Sequence, residues 1–243
     1  MTTALLITFA IITFSSFVKG TVGFGSGLVA APLLLLFTPP QDVVVIVLLL
    51  AFLMDIGNTV KFYNMLDFRK ILPLVVASLV GLPIGVFILK NANVQYLKLG
   101  IGILVASFAM LQLLNVKFQI KKEVMAQTVV GFLCGILVTA TSINGPPVAL
   151  FYANQNVNKN EFKAKLAVYF LILGLMSIAT LIYSDVLTLQ RFQSTIILVP
   201  SMLIGFFIGL TFSHYVSESL FKKIALAIIF ISGLTAIASV IWG

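Results

Sequence analysis

The sequence predicts an all-α polytopic membrane protein with about eight hydrophobic segments in two four-segment repeats, the first and fifth segments being broken or re-entrant. The composition, recurring apolar windows and two breaks half a chain apart support this prediction. Hydrophobic residues make up 60% of the 243 residues and charged residues only 9%, whereas soluble domains carry about 25% charged residues. Because so little polar material cannot cover a globule in water, we expect lipid to solvate much of the surface.

Apolar windows of 15 to 20 residues recur along the chain, and its mean hydropathy is +1.17. Since a membrane-spanning helix needs roughly 20 apolar residues, most windows qualify once their flanks are added, although the first is short. The eight windows are 4–18, 43–60, 71–89, 99–114, 124–143, 166–184, 195–213 and 224–242. The first segment lacks the basic start and cleavage site of a signal peptide, so we expect it to be retained.

Two of these segments are interrupted. The first break, from Lys19 to Gly27, is rich in glycine, and the second runs from Thr141 to Pro147. Gly27 and Gly145 lie 118 residues apart. Hydrophobic segments interrupted at corresponding positions of two halves are typical of transporters with internal repeats. We therefore predict a first transmembrane repeat over 1–116 and a second over 117–243, together forming one membrane domain.

Other features recur at similar separations and in the same order. They are Pro73 and Pro200 at 127 residues, Gly85 and Gly209 at 124, and Tyr96-Leu97-Lys98 and Phe221-Lys222-Lys223 at 125. The near-constant separation favours an internal duplication.

The distribution of loop charges predicts how the segments cross the membrane. If all eight windows cross once, the two sides collect seven Lys and Arg each, which predicts no orientation. If segments 4–37 and 124–153 instead return to the side they entered, Lys90, Lys98 and Arg191 lie on one side and eleven basic residues on the other. These eleven are Lys61, Arg69, Lys70, Lys117, Lys121, Lys122, Lys159, Lys163, Lys165, Lys222 and Lys223. That bias matches the positive-inside rule and makes the repeats inverted.

The net charge of +8 is explained by this anchoring, so nucleic acid is not an expected partner. The chain offers no nucleophile–histidine–acid triad, no zinc-binding H-E-x-x-H motif and no phosphate-binding lysine motif. Cys134 and His214 are each the single residue of their type, too few for a disulfide or a metal cluster. We therefore predict no enzyme activity, catalytic residue, metal or cofactor.

The breaks themselves predict an anion site. A helix that restarts after a break presents unpaired N–H groups and the positive end of its dipole, and we expect restarts between Ser26 and Ala31 and near Pro147. The alternative is tight helix packing by small residues. The candidate substrate-binding residues are Lys19, Thr21, Gly25, Ser26, Gly27, Asn58, Thr141, Asn144, Gly145 and Tyr152.

Lys19 and Asp55 are ionisable residues within hydrophobic segments, where such groups are usually paired or functional. Lys19 would either attract the anion or extend to the membrane interface. Asp55, which has Asn58 one turn later on the same helix face, would pair with Lys19 or Lys61 or relay a proton.

Several motifs resemble the TauE/SafE family of membrane transporters, the sulfite and organosulfonate exporters. They are Gly23-x-Gly25-x-Gly27 followed by Pro32, Asn144-Gly145-Pro146-Pro147 with Leu150-Phe151-Tyr152, Tyr63 with Asp67-Phe68-Arg69-Lys70-x-x-x-Pro73, and Lys165-Leu166-Ala167-x-Tyr169-Phe170. The resemblance implies a duplicated four-plus-four helical architecture that moves small, often sulfur-containing anions across the cytoplasmic membrane. The chain departs from the family pattern at Ser26, where a further glycine is common, and at Asn144, which precedes a single glycine.

We therefore predict a secondary transporter in the inner (cytoplasmic) membrane. It would move a small anion, a sulfur-containing oxyanion or organosulfonate, by alternating access. Its partners would be the anionic substrate, the lipid bilayer and a coupling ion, either a proton or sodium. The alternatives are a passive anion channel, a membrane-embedded enzyme and a non-transporting scaffold.

Overall fold

The computed structural model describes residues 2–62, 68–114, 123–153 and 159–213, together with Phe230 and Leu234. Within these ranges the regular structure is α-helical. The helices are α1 (Thr2–Val22), α2 (Ser26–Leu34), α3 (Pro40–Phe62), α4 (Phe68–Asn91), α5 (Val94–Leu113), α6 (Glu123–Thr141), α7 (Gly145–Ala153), α8 (Lys159–Tyr183), α9 (Leu189–Ile196) and α10 (Val199–Phe212). The eighth predicted window (apart from Phe230 and Leu234), His214 and the stretch 63–67 lie outside the described residues.

Six of the described helices, α1, α3, α4, α5, α6 and α8, are long and apolar enough to cross a membrane, and α9 with α10 adds a seventh if the pair is one bent span. The predicted all-α multi-pass membrane protein is thereby confirmed. Both α1 and α6 reach span length before their breaks, so the short helices α2 and α7 follow a complete crossing length. The re-entrant course of the two segments stays a prediction.

The structure contains both predicted breaks: the first separates α1 from α2, and the second separates α6 from α7. The chain leaves α1 through Gly23 and Gly25, whose φ angles are 94° and 99°, in the region that glycine tolerates best. The second break contains Ser142 at φ 58°, and α7 restarts at Gly145, two residues before the expected Pro147. Asn144 therefore directly precedes the helix.

A third break lies in the predicted window 195–213, which we expected to be continuous. That expectation was wrong, because the window begins in α9 and the chain bends by 49° before α10. Pro200 lies in the first turn of α10, where its missing N–H costs no helical hydrogen bond, but it cannot extend the hydrogen bonding of a preceding helix. Arg191 of α9 holds this region against the start of α3, with Nε 2.6 Å from Oδ1 of Asp42.

Glycines let two helix pairs approach backbone to backbone. A Cβ at Gly81 or Gly85 of α4 would meet the carbonyl oxygen of Phe132 or Ile136 on α6. The same arrangement joins α10 to α1, where Gly205 and Gly209 face the carbonyl oxygens of Thr13 and Phe17. The two glycine pairs are 124 residues apart and the two carbonyl pairs 119. In lipid the hydrophobic effect does not drive helices together, and small residues at such interfaces instead allow the close van der Waals packing that does.

We expect Gly205→Ala to destabilise the fold by about 1–3 kcal/mol, because the added methyl group forces α1 and α10 apart. Chemical denaturation of purified protein in detergent measures this change. Gly100→Ala on α5 is the matched control, since a Cβ there meets nothing within 4 Å. Equal stability of the two variants would contradict the close α1–α10 contact.

Candidate functional site

The two helix breaks lie directly against each other inside the protein. A Cβ at Gly27 would run into the carbonyl oxygen of Ser142, and a Cβ at Gly145 would lie 3.0 Å from the ring of Phe24. Each break thus packs a glycine at a helix start against the other break. Ser142 also donates a 2.9 Å hydrogen bond from Oγ to the carbonyl oxygen of Val44 on α3, which fixes the second break to the helix that carries Asp55.

A small cavity, partly open to solvent, lies where the breaks meet. Helices α1, α2, α3, α6, α7 and α8 and both breaks contribute to its wall. The lining residues are Lys19, Phe24, Gly25, Ser26, Gly27, Leu28, Leu48, Ala51, Phe52, Asp55, Val138, Ser142, Ile143, Asn144, Gly145, Phe170 and Gly174. The wall is thus mainly apolar, with a few polar groups, as is usual for small-molecule sites.

Many of the lining residues occur in pairs with one fixed separation of 119 residues. The pairs are Lys19 and Val138, Phe24 and Ile143, Gly25 and Asn144, Ser26 and Gly145, Ala51 and Phe170, and Asp55 and Gly174. The same separation relates the carbonyl groups of α1 and α6 that face glycines. Residues 119 positions apart in the chain therefore line the same cavity.

Lys19 and Asp55 form a buried ion pair in the cavity wall. The Nζ atom of Lys19 lies 2.8 Å from Oδ2 of Asp55 and donates a second hydrogen bond, of 3.0 Å, to the carbonyl oxygen of Ala51. Each residue is only 3% exposed, so Lys19 does not extend to the interface. Of the sequence alternatives for Asp55, the structure bears out pairing with Lys19. The charge of Lys19 is therefore compensated in this conformation.

The environment of the pair is otherwise apolar. The Nζ atom of Lys19 lies 5.9 Å from the centroid of the Phe170 ring, within cation–π range. The Oδ1 atom of Asp55 has no hydrogen-bond partner among the described residues and is buried. Because a buried unsatisfied carboxylate oxygen is unfavourable, this atom is a place where a further group can bind.

The two helix starts differ in the donors they offer. In α2, the first turn is Ser26, Gly27 and Leu28, all of which carry an N–H group and line the cavity. In α7, Gly145 is followed by Pro146 and Pro147, which have no N–H. The start of α2 therefore presents more backbone N–H groups to the cavity than the start of α7, where Gly145 and Asn144 line the wall.

Six of the ten predicted site residues line the cavity. They are Lys19, Gly25, Ser26, Gly27, Asn144 and Gly145. The structure thus brings together residues from both breaks. The backbone of Asn144 is itself held in place, because its carbonyl oxygen accepts a 3.3 Å hydrogen bond from Sγ of Cys134 on α6.

The other four predicted residues are not part of the cavity wall. Thr21 and Thr141 each donate to the carbonyl oxygen four residues earlier, at 2.7 Å, the usual bond of threonine in a helix. Tyr152 is buried, with Lys165 5.2 Å above its ring centroid. Asn58 lies one turn beyond Asp55 on α3, buried and with Nδ2 unpartnered among the described residues.

Sequence reasoning placed Asn58 of α3 in the site but left out the α3 and α8 residues that line the cavity. Asp55, recognised as a pairing partner of Lys19, lines the cavity with Ala51, Phe52, Phe170 and Gly174. The two breaks align with each other at a separation of 119 residues, Gly25 with Asn144 and Ser26 with Gly145, and this separation was the signal that could have identified the missed residues. Applied to Asp55, it leads directly to Gly174.

The fold and the cavity define a class of protein, the multi-pass helical membrane proteins in which broken helices enclose a partly polar cavity. The family described as Sulfite exporter TauE/SafE matches residues 8–236, nearly the whole chain. The chain therefore belongs to this family of membrane transporters, which confirms the resemblance seen in its motifs. No curated protein and no solved structure matches it.

Proposed function

We propose that the protein is a secondary transporter that moves a small anion, a sulfur-containing oxyanion or an organosulfonate, across the cytoplasmic membrane. The observation that carries this proposal is the meeting of two broken helices at a cavity that contains Lys19 and the start of α2. Unpaired N–H groups at a helix start together with a cation suit an oxyanion. The family supports sulfur compounds as substrates.

The mainly apolar wall suits the proposed substrates. An organosulfonate combines a small apolar group with a sulfonate, and Phe24, Phe52 and Phe170 provide a surface for the apolar part. The sulfonate oxygens would accept from the N–H groups of Ser26 and Gly27. This division into apolar and polar contacts is how such sites usually fix the orientation of a ligand.

Alternating access is the transport mechanism that we propose. Residues separated by 119 positions line one cavity, which is the arrangement expected if two repeats, 1–116 and 117–243, enclose the substrate between them. The contacts of α1 with α10 and of α6 with α4 join each broken segment to the other half. Movement of one half against the other would then expose the cavity to each side in turn.

A thermal-shift experiment tests the proposal. The melting temperature of the purified protein is measured in the presence of sulfite, sulfate, thiosulfate, methanesulfonate, taurine and small carboxylates. We expect stabilisation by at least one sulfur-containing anion, because a ligand that binds only the folded state raises its stability. Counterflow in proteoliposomes then separates a carrier from a passive channel, since only a carrier is stimulated by unlabelled substrate on the opposite side. Absence of stabilisation by every anion would contradict the proposal.

Asn144→Ala should weaken binding of the stabilising anion by about 10- to 100-fold, the equivalent of one hydrogen bond to a charged group. Protein abundance in the membrane should be unchanged. Asn91→Ala is the matched control, because Asn91 is exposed and donates to the carbonyl oxygen of Phe87 at the end of α4. Unaltered binding and transport by Asn144→Ala would exclude this side chain from the site.

A further inference from the structure

We propose that Asp55 is a proton-binding site and that protonation of its carboxylate releases Lys19 to bind the anion. This inference rests on the proposed function and adds its coupling ion. It starts from the location of a complete ion pair within the wall of the cavity. Lys19 cannot offer its full charge to a substrate while the ionised carboxylate of Asp55 remains 2.8 Å from its Nζ atom.

The net charge of the site favours a proton as the coupling ion. With Asp55 ionised, the pair is neutral, and an arriving anion adds an uncompensated negative charge to a poorly solvated site, which is unfavourable. With Asp55 protonated, the anion faces the cation of Lys19 and the site stays balanced for a monovalent substrate. The proton comes from hydronium or a buffer acid of the bulk solution: the bond to hydrogen in that donor breaks as the O–H bond of the Asp55 carboxyl group forms, and the conjugate base stays in solution. Lys19 remains protonated throughout.

The geometry provides a place for the proton. Oδ2 of Asp55 accepts from Lys19, whereas Oδ1 is buried without a partner among the described residues. A proton on Oδ1 turns this acceptor into a donor, which can itself bond to an oxygen of the anion. Protonation therefore changes the two cavity-lining side chains from an ion pair, in which each charge compensates the other, into two hydrogen-bond donors for one ligand.

Sodium suits the same position less well. Hard metal cations take several oxygen ligands at once, but the cavity residues around Asp55 include Leu48, Phe52 and Phe170. A metal cation would also be repelled by the ammonium group of Lys19. A proton needs only the one oxygen and forms a covalent bond to it.

The charged group that faces Asp55 among the described side chains is Lys19 on α1. Helices α2 and α10 carry no titratable residue, and the side chain of Lys61 on α3 lies outside those described. Other titratable groups on packed helices bond elsewhere: Tyr169 to Ser78, Lys165 to Glu161, Cys134 to Asn144, Arg191 to Asp42 and Lys90 to Ser184. The pH response of the cavity should therefore come from the Lys19–Asp55 pair.

Binding of sulfate and methanesulfonate to purified wild-type protein tests the proposal, because neither ion changes its charge near neutral pH. Calorimetric titrations in buffers of different ionisation enthalpy count the protons taken up with the anion. We expect up to one proton per anion and an affinity that falls by up to about tenfold per pH unit as the pH rises. Replacing sodium with choline should leave the affinity unchanged.

Asp55→Asn mimics the protonated carboxylate, so its binding should be independent of pH, with no proton uptake. Asp42→Asn is the matched control on the same helix, since Asp42 pairs with Arg191 away from the cavity, and it should retain the wild-type pH response. If Asp55→Asn does not fold, proton uptake by the wild-type protein still decides the question.

These measurements distinguish failure of the proposed role of Asp55 from failure of the anion site itself. Wild-type binding that occurs without proton uptake, or that requires sodium, overturns the role of Asp55 and leaves the anion site standing. A pH response that persists in Asp55→Asn also overturns it. Absence of binding at every pH, for these two ions and for every other anion of the thermal-shift panel, overturns the inference together with the anion site from which it starts.

Discussion

Lys19→Met should destabilise the folded protein by about 3–5 kcal/mol, because it leaves the carboxylate of Asp55 buried without its partner. Lys19 and Asp55 are each 3% exposed, so water does not compensate the remaining charge. Chemical denaturation in detergent measures the loss. Anion binding should be lost as well, because the cavity would retain only the negative member of the pair.

The double variant Lys19→Met/Asp55→Leu separates these two effects. Replacing both partners of a buried pair by apolar residues is often neutral or stabilising, so we expect stability close to that of the wild type and no anion binding. Val138 and Gly174, which lie 119 residues later in the chain and line the same cavity, are apolar, so apolar residues are compatible with the cavity wall. Anion binding by a stable double variant would refute the role of the pair in binding.

Gly27→Ala should have the second large effect, because a methyl group at this position collides with the carbonyl oxygen of Ser142. The two breaks must then separate, which we expect to reduce stability by about 1–3 kcal/mol. Binding of the anion should decrease at least tenfold, about 1.4 kcal/mol, since the N–H groups of α2 move relative to Asn144.

Gly57→Ala on α3 is the control for this variant. Its added Cβ would lie 3.4 Å from the edge of the Phe206 ring, a side chain that can adjust, and it leaves the breaks untouched. Thermal stability and anion affinity should be measured for both variants. Similar losses in the two would mean that the contact between Gly27 and Ser142 has no special role.

The helix breaks could be predicted from sequence because their causes are local. Glycines at positive φ and a Gly-Pro-Pro run interrupt apolar segments whatever surrounds them, so the restart of α2 at Ser26 was expected within its range. The bend before α10 was missed, although Pro200 was noted. A proline in the first turn of a helix is compatible with either a new start or a continuing chain, and packing decides between them.

The partners of individual side chains depend on tertiary structure and were harder to predict. Lys61 competed with Lys19 as the partner of Asp55, and only the position of α1 beside α3 distinguishes the two. Thr21 and Thr141 looked available for a ligand, but each bonds within its own helix. Tyr152 follows the second break in sequence, yet its helix directs it into a buried cluster.

In the alternating-access cycle that we propose, the unequal content of the two half-sites makes the states open to either side of the membrane unequal in free energy. A cavity with identical halves would make the states open to either side equivalent by symmetry. Here Lys19 and Asp55 correspond to Val138 and Gly174, so hydrating one face of the cavity exposes ions and hydrating the other exposes hydrocarbon. The resting carrier should therefore favour the state in which water reaches the charged face, and its two half-cycles should run at different rates.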